Sequence, residues 1–153
     1  MELAPSRDSN AQPTGGTLSD AEPVLRPVSL TPACVRAIMA GRKRQIRSIA
    51  HPPNGVAPPV GACPLGRPGD LLRVREGLSL RIASTRLERL QSIRDEDLAA
   101  EGGMWQESAP AGSVEDERVG FARWWNEVHV RLTAKWEVDP WVWVIEFEVM
   151  PCT

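Results

Sequence analysis

The spacing of apolar residues predicts a chain of short strands and short helices. The clearest strand covers residues 141–149, where every second side chain is large and apolar. Val142 and Val144 add apolar side chains to its other face, so the first half of this strand should be buried on both sides and lie centrally in a sheet. Weaker alternation predicts strands at residues 71–76 and 78–90, the second with a bend near residues 83 and 84.

A short helix is predicted between Thr31 and Gly41. The Thr31 hydroxyl can cap its start, and Gly41 can take the left-handed conformation that ends a helix. Apolar side chains three and four residues apart give this helix one narrow apolar face, made of Val35, Ile38 and Met39.

The strongest helical pattern covers residues 118–132. Its apolar stripe contains Phe121, Trp124, Trp125, Val128 and Leu132. Two adjacent tryptophans could stack a nucleic-acid base, but such a stripe more often packs in a core, and we expect the core. His129 lies on the flank of the stripe, where a surface histidine is expected.

A third, shorter helix is predicted over residues 94–101. Ser92 and Asp95 have the spacing of a capping box, and Gly102 can end the helix. Glu101 would then lie in the last turn, where the helix dipole disfavours a negative charge. Its position is a faint indication of function, and the alternative is a carboxylate that points to water.

The chain has room for one domain and a tail. Residues 1–23 are rich in Ser, Pro, Gly, Asn and Asp and predict a disordered tail, whereas residues 24–153 predict a single domain. Residues 24–30 suit an edge strand because Pro27 interrupts them. Residues 50–69 contain six prolines and four glycines and predict a long loop. About five strands without a βαβ rhythm indicate an α+β fold, a small mixed β-barrel with short peripheral helices.

Composition narrows the classes of function. The 153 residues carry a net charge of −2, so any contact with nucleic acid must come from a local patch. Three cysteines, an odd count, and two histidines argue against a metal site and favour a reduced, cytoplasmic protein. No signal peptide is recognisable, and the longest apolar run has five residues, so we expect no membrane span. We also expect no cofactor.

A basic segment follows the first helix. Residues 36–47 carry five positive charges and no acid, whereas residues 95–117 carry eight acids and no base. In an extended segment, Lys43, Gln45 and Arg47 would share one face. Such a face suits contact with an anion or a nucleotide, and the alternative is a solvated surface turn.

These segments resemble a known family. The run V-R-A-I-M-A-G-R-K-R-Q-I-R resembles the A-I-L-x-G-x-K-T-x-T-x-R signature of ASCH domains, which belong to the PUA-like superfamily of small β-barrels. Further similar segments follow in the same order, namely C-P-L-G-R-P-G-D-L-L-R-V-R-E, R-L-E-R-L-Q-S-I-R-D-E-D-L-A-A-E-G, F-A-R-W-W-N-E-V and D-P-W-V-W-V-I-E-F-E. The resemblance covers about residues 27–149 and is to ASCH-like proteins common in bacteriophages and prophages.

The resemblance implies a pocket beside the first helix and a role in binding RNA or nucleotides. Some ASCH proteins are amidohydrolases that deacetylate N4-acetylcytidine with a Lys, a Thr and a Glu. These positions correspond to Lys43, Ile46 and Glu101, so the hydroxyl nucleophile is missing here. Ser48 and Thr31 are the nearby hydroxyls. The chain is also short after residue 76, which would leave the pocket more open.

Three hypotheses follow. The first is a module that binds RNA or a modified nucleoside or nucleotide through Arg42, Lys43, Arg44, Gln45, Arg47, Arg75 and Glu76, with Glu101 or Gln45 reading a base edge. The second is a hydrolase, an amidohydrolase or a nuclease, with Lys43 and Glu101 as catalytic residues. The third is a phage-derived accessory protein without activity.

Overall fold

The computed structural model describes residues 22–50, 57–59, 62–112 and 115–150. Its strands are β1 (Leu25–Pro27), β2 (Gln45–Ile49), β3 (Leu71–Arg75), β4 (Leu78–Arg89) and β5 (Trp141–Val149). Its α-helices are α1 (Pro32–Met39), α2 (Asp95–Glu101) and α3 (Glu117–Val128). Short 3-10 turns cover Leu90–Ser92, Met104–Ser108, Leu132–Ala134 and Trp136–Val138. The predicted tail, residues 1–23, lies almost wholly outside the described residues, as does much of the loop at residues 50–69.

The strands form one mixed sheet in the order β1-β3-β4-β5-β2. β1 pairs with β3 in parallel, and the other neighbours are antiparallel. Pro27 lies in β1 at the edge, where its missing N–H costs no internal ladder bond. The predicted α+β fold with about five strands is confirmed. β2 is the other edge strand, so the segment after α1 runs along an open side of the sheet.

β4 is one long strand with an irregularity in the middle. Its pairing with β5 shifts register between Ile82 and Ser84, which confirms the bend predicted near residues 83 and 84. A bulge at this point bends and twists the strand. The first half of β4 can therefore pair with β3 while the whole strand follows β5.

Apolar side chains cover both faces of β5. Val142 and Val144 pack in one cluster with α1, α2 and α3, whereas Trp143, Ile145 and Phe147 pack in a second cluster. The second cluster also includes side chains of β2, β3 and β4, so the sheet is rolled around it. The prediction that the first half of this strand is buried on both sides is confirmed.

The first helix begins and ends as predicted. Thr31 Oγ1 accepts a hydrogen bond of 3.2 Å from Cys34 N, and Gly41 takes a φ of 79° just after the helix. Its predicted apolar face is rotated, because Met39 is exposed while Cys34, Ala37 and Ile38 are buried. Met39 therefore belongs to the surface and not to the core.

The predicted cap of the second helix is wrong. α2 begins at Asp95, and Ser92 belongs to the preceding 3-10 turn. The cap forms two residues later in the chain, where Asp97 Oδ2 accepts a hydrogen bond of 3.1 Å from Arg94 N. Gly102 ends the helix as predicted, with a φ of 100°.

The third helix is shorter than predicted. It ends at Val128, and Leu132 is exposed in a separate 3-10 turn, so the predicted extension to residue 132 is wrong. Phe121, Trp124 and Trp125 are buried together, which confirms the core interpretation of the stripe. No helix in the described ranges is both long and apolar enough to cross a membrane.

Candidate functional site

The basic segment after α1 lies against the end of α2. Lys43 N donates to Ala37 O at 3.1 Å, and Arg44 N donates to Ala100 O at 2.7 Å. Gly102 permits this close approach, because a Cβ at its position would lie 2.9 Å from Lys43 Cβ and 3.0 Å from Lys43 Cα. The contacts of this segment with α2 therefore place Lys43 beside the last residue of that helix.

Lys43, Glu101 and Arg47 form a buried charged cluster, which we call the triad. Lys43 Nζ lies 2.9 Å from Glu101 Oε1, and Arg47 Nε lies 3.3 Å from Glu101 Oε2. Only 3%, 1% and 6% of Lys43, Glu101 and Arg47 are exposed. The interpretation of this segment as a solvated surface turn is therefore wrong for Lys43 and Arg47. Glu101 likewise does not point to water, because only 1% of it is exposed. Two cations balance its carboxylate.

The second contact in the triad is an ion pair without a hydrogen bond. Although Arg47 Nε and Glu101 Oε2 are 3.3 Å apart, neither atom has a hydrogen-bond partner among the described residues. A buried donor and a buried acceptor without partners are costly, and native proteins contain few of them. The contact between Arg47 and Glu101 therefore rests on charge, and both of its atoms are buried.

The guanidinium of Arg47 is held by further partners. Its Nη1 lies 2.7 Å from Glu88 Oε2, its Nη2 donates to Gln45 Oε1 at 3.2 Å, and Nη2 lies 3.5 Å from Asp97 Oδ2. Gln45 Nε2 in turn donates to Asp97 Oδ1 at 3.3 Å. These contacts fix the orientation of the planar guanidinium, which a single ion pair would not do.

Arg86 connects this network to the surface. It lies 3.1 Å from Glu88, 3.1 Å from Asp97 and 2.9 Å from Glu146. Burial opposes ionisation of Asp97, but the hydrogen bonds from Arg94 N and Gln45 and the charges of Arg86 and Arg47 hold its pKa below the ordinary value. Asp97 therefore remains charged at neutral pH and keeps its hold on both arginines.

The triad lines a cavity of about 470 Å³, which we call the Lys43 cavity. Its size falls within the roughly 300–1,000 Å³ typical of small-ligand sites. Hydroxyl groups of Thr31, Ser48 and Thr133 contribute to its wall. An apolar wall is formed by Leu30, Ile46, Trp124, Trp125 and Val128. The Lys43 cavity thus combines charged, hydroxyl and aromatic groups, as ligand sites do.

The segment that follows α3 forms the exposed part of the wall. Val130, Arg131 and Thr133 all line the Lys43 cavity and are exposed, Val130 to 77%. We call residues 129–133 the rim. Its exposure contrasts with the buried triad, so the cavity becomes progressively more open to solvent from the triad to the rim.

His129 is the part of the rim that sequence reasoning misplaced. Its ring stacks on Trp125 with centroids 3.7 Å apart and planes 19° apart, and Nδ1 lies 3.1 Å from Trp125 O. The residue is half-buried and lines the Lys43 cavity, so the prediction of a surface histidine is wrong. Burial lowers its pKa, the nearby charge of Lys135 lowers it further, and the Trp125 carbonyl opposes them.

The position of the family threonine lies in the same cavity. Ile46 is buried and lines it, so no hydroxyl is present at that position. Ser48 and Thr31 also line the cavity, but Thr31 Oγ1 already accepts a hydrogen bond from Cys34 N. Ser48 is thus a hydroxyl that remains available to a ligand or a reaction.

The other predicted site residues lie outside the cavity wall. Arg42 and Arg44 are exposed, and Arg42 Nε donates to Gly102 O at 3.2 Å. Arg75 and Glu76 are exposed where β3 turns into β4 and do not contribute to the lining of the Lys43 cavity. In the described ranges, no group of three His, Cys, Asp or Glu side chains is arranged to hold a metal ion.

Sequence reasoning missed several members of the site. Arg47 is held directly by Glu88 and Asp97, and Arg86 acts on it through Asp97. Trp124 belongs to both the core and the cavity wall. Arg86 and Glu88 lie two residues apart in β4, a spacing that predicts a polar stretch on one face of the strand. The ion pair of Glu88 with Arg47 joins strands far apart in sequence and had no local signal.

Comparison with known proteins identifies solved structures that resemble this one in fold. No protein-family model matches the chain, and no curated protein does so. An ASCH domain from Lactobacillus crispatus JV V101 matches with 18% identity and a TM-score of 0.48, over 86% of this chain and 83% of that one. Hypothetical protein PH0355 matches with 14% identity and a TM-score of 0.52, over 83% of this chain and 100% of that one.

A further solved structure, protein EF3133 from Enterococcus faecalis V583, described as DUF984, matches with 14% identity and a TM-score of 0.51. This match covers 87% of this chain and 83% of that chain. At these identities the likeness is one of fold. The two matches with TM-scores above 0.5, PH0355 and EF3133, show that this chain shares their fold, and the resemblance to ASCH domains stays a prediction.

Proposed function

We propose that this chain is an ASCH-like domain that binds single-stranded RNA, with one nucleoside unit in the Lys43 cavity. The observation that carries the proposal is the triad, three buried charged residues that line an open cavity. Burial of three charges is costly and weak evidence for stability, so a ligand is the better explanation for their presence at a cavity wall.

The chemistry of the cavity suits a nucleobase. A carboxylate accepts hydrogen bonds from exocyclic amino groups, and Arg or Lys donates to ring nitrogens and carbonyl oxygens. Trp124 supplies an aromatic surface in the same wall. Proteins that recognise single-stranded RNA commonly combine such edge contacts with stacking of an unpaired base on an aromatic side chain.

The charge around the cavity suits a phosphate backbone. Arg131 adds a positive charge at the rim, whereas the cations of the triad are already paired with carboxylates. Arg42 and Arg44 expose two more positive charges on the segment that carries Lys43. Local positive charge can attract RNA even though the chain as a whole has a net charge of −2.

The proposal is tested by fluorescence anisotropy with a labelled single-stranded RNA of about twelve nucleotides and mixed sequence. We expect affinity to fall as salt rises, and Arg131→Ala to weaken binding and lower the slope of log affinity against log salt by roughly one. The matched control is Arg73→Ala, which removes an exposed arginine of β3 that does not line the Lys43 cavity. Failure of the wild-type chain to bind this RNA would contradict the proposal.

An amidohydrolase is the second candidate. It is favoured by the 2.9 Å contact between Lys43 Nζ and Glu101 Oε1, in a cavity that also contains the Ser48 hydroxyl. A hydroxyl, a lysine and a carboxylate on the wall of one cavity are the component groups of nucleophilic catalysis. Against it, Ile46 occupies the position that the resemblance assigns to the nucleophile.

This candidate is tested by chromatography of N4-acetylcytidine after incubation with wild-type protein, Glu101→Gln and Ser48→Ala. A hydrolase would release cytidine with the wild type only, because Glu101→Gln keeps the side-chain shape and removes the charge. Cytidine in no sample excludes this substrate, and equal cytidine in all samples assigns the activity to a contaminant.

A further inference from the structure

The most informative unexplained group is the imidazole of His129. Its orientation is set by two contacts, the stack on Trp125 and the approach of Nδ1 to Trp125 O at 3.1 Å. A carbonyl oxygen can only accept, so Nδ1 must carry the proton. In the neutral ring Nε2 is then an acceptor, and no described residue forms a hydrogen bond with it.

The neutral ring is the relevant form at neutral pH. Burial is the largest influence and lowers the pKa of His129 below its ordinary value of 6.5, Lys135 acts in the same direction, and the Trp125 carbonyl opposes them. A histidine that is held neutral, with a fixed tautomer and an acceptor without a partner on the wall of a cavity, is prepared to accept a hydrogen bond from a ligand.

Depth in the cavity identifies the part of a nucleotide that would meet this acceptor. The triad is buried, His129 is half-buried, and Arg131 is exposed. A nucleotide that enters with its base first would place the base at the triad, its ribose at intermediate depth and its phosphate near Arg131. The exposure of these residues therefore increases in the same order as base, ribose and phosphate would follow one another toward solvent.

We propose that Nε2 of His129 accepts a hydrogen bond from the ribose 2′-hydroxyl of the bound nucleotide and thereby makes the cavity select RNA over DNA. The inference rests on the proposed function. The 2′-hydroxyl is both a donor and an acceptor, and it is the group by which a protein can distinguish RNA from DNA at one site.

The experiment compares three labelled single strands of the same sequence, RNA, DNA and RNA with 2′-fluorine, in the anisotropy assay at pH 7.5. The 2′-fluoro strand keeps a small substituent at this position but cannot donate. We expect the wild type to bind RNA roughly two- to tenfold more tightly than either other strand, the range for one hydrogen bond.

The variant His129→Phe keeps an aromatic ring for the stack on Trp125 and lacks the acceptor. It should bind all three strands with the affinity that the wild type shows for DNA. A preference for RNA that survives in His129→Phe overturns the inference while the proposed function stands. Absence of RNA binding by the wild type overturns both.

If His129→Phe does not fold, the affinities of the wild type for the three nucleic-acid strands still test the inference. Equal binding of RNA and 2′-fluoro RNA by the wild type shows that no hydrogen bond is donated by the 2′-hydroxyl, and overturns it. Tighter binding of RNA than of both other strands supports it.

Discussion

Among the arginines that contact several carboxylates, Arg47 and Arg123 differ in their exposure to water. Arg47 contacts Glu88, Asp97 and Glu101, and its side chain is 0% exposed. Arg123 contacts Glu115 and Glu127, and its side chain is 21% exposed. Water screens the charges around Arg123 and replaces a lost partner, whereas the buried network of Arg47 has no such replacement.

The comparison distinguishes an arginine that holds two elements of the fold together from an arginine at a candidate ligand site. Arg123 Nη2 also donates to Trp105 O at 2.9 Å, so this arginine joins α3 to the preceding 3-10 turn and leaves no unused atom in its contacts with Glu115. Arg47 lines a cavity and keeps its Nε without a hydrogen bond from the described residues. Similar residue types thus serve packing in one place and a proposed ligand in the other.

The largest expected effect is from Arg47→Met. Methionine removes the cation from a buried site with three carboxylates, and the uncompensated charges should lower the free energy of unfolding by roughly 3–5 kcal/mol. Urea unfolding followed by tryptophan fluorescence measures this loss. A loss no greater than that of Arg123→Met would show that burial does not distinguish the two networks.

Gly102→Ala should have the next largest effect. Alanine in the left-handed conformation costs roughly 1–2 kcal/mol, and the new Cβ would also lie 2.9 Å from Lys43 Cβ, so Lys43 must move. The same urea titration gives the free energy of unfolding. Gly112→Ala is the matched control, because Gly112 also has a positive φ, of 76°, but its Cβ would meet no atom within 4 Å. Equal losses in the two variants would contradict the role given to the contact with Lys43.

Arg123→Met should lower the free energy of unfolding by only a fraction of the Arg47→Met effect. Its ion pairs are partly solvated, and Glu115 and Glu127 can return to water when the cation is removed. The ratio of the two losses, measured under identical conditions, is the direct test of the comparison. Added salt should weaken the contribution of Arg123 more than that of Arg47.

The smallest effect is the pH dependence contributed by His129. Its pKa is lowered in the folded protein, so the unfolded chain binds the proton more tightly, and the free energy of unfolding should fall as pH drops below the ordinary value of 6.5. His129→Phe removes this contribution. Unfolding of both proteins at pH 7.5 and 5.5 should therefore show a smaller decrease for the variant, and an equal decrease would contradict the burial of this ring.

The sequence by itself determined the local elements. The alternation at residues 141–149 predicted β5 and its two buried faces, and Thr31 and Gly41 marked the ends of α1 correctly. These features depend on side-chain periodicity and on backbone preferences within a few residues, which a single sequence carries directly. The same reasoning misjudged the cap of α2 and the last residue of α3, where adjoining 3-10 turns compete with the helix.

The tertiary structure alone decided which polar residues meet. Lys43, Arg47 and Glu101 were candidates from sequence, but their burial in one cluster depends on the packing of β2 against the end of α2. Glu88 reaches Arg47 across the sheet, and His129 enters the cavity because α3 ends four residues before it would on periodicity alone. Contacts between residues distant in sequence depend on the path of the whole chain, and charge alone cannot tell a buried pair from a solvated one.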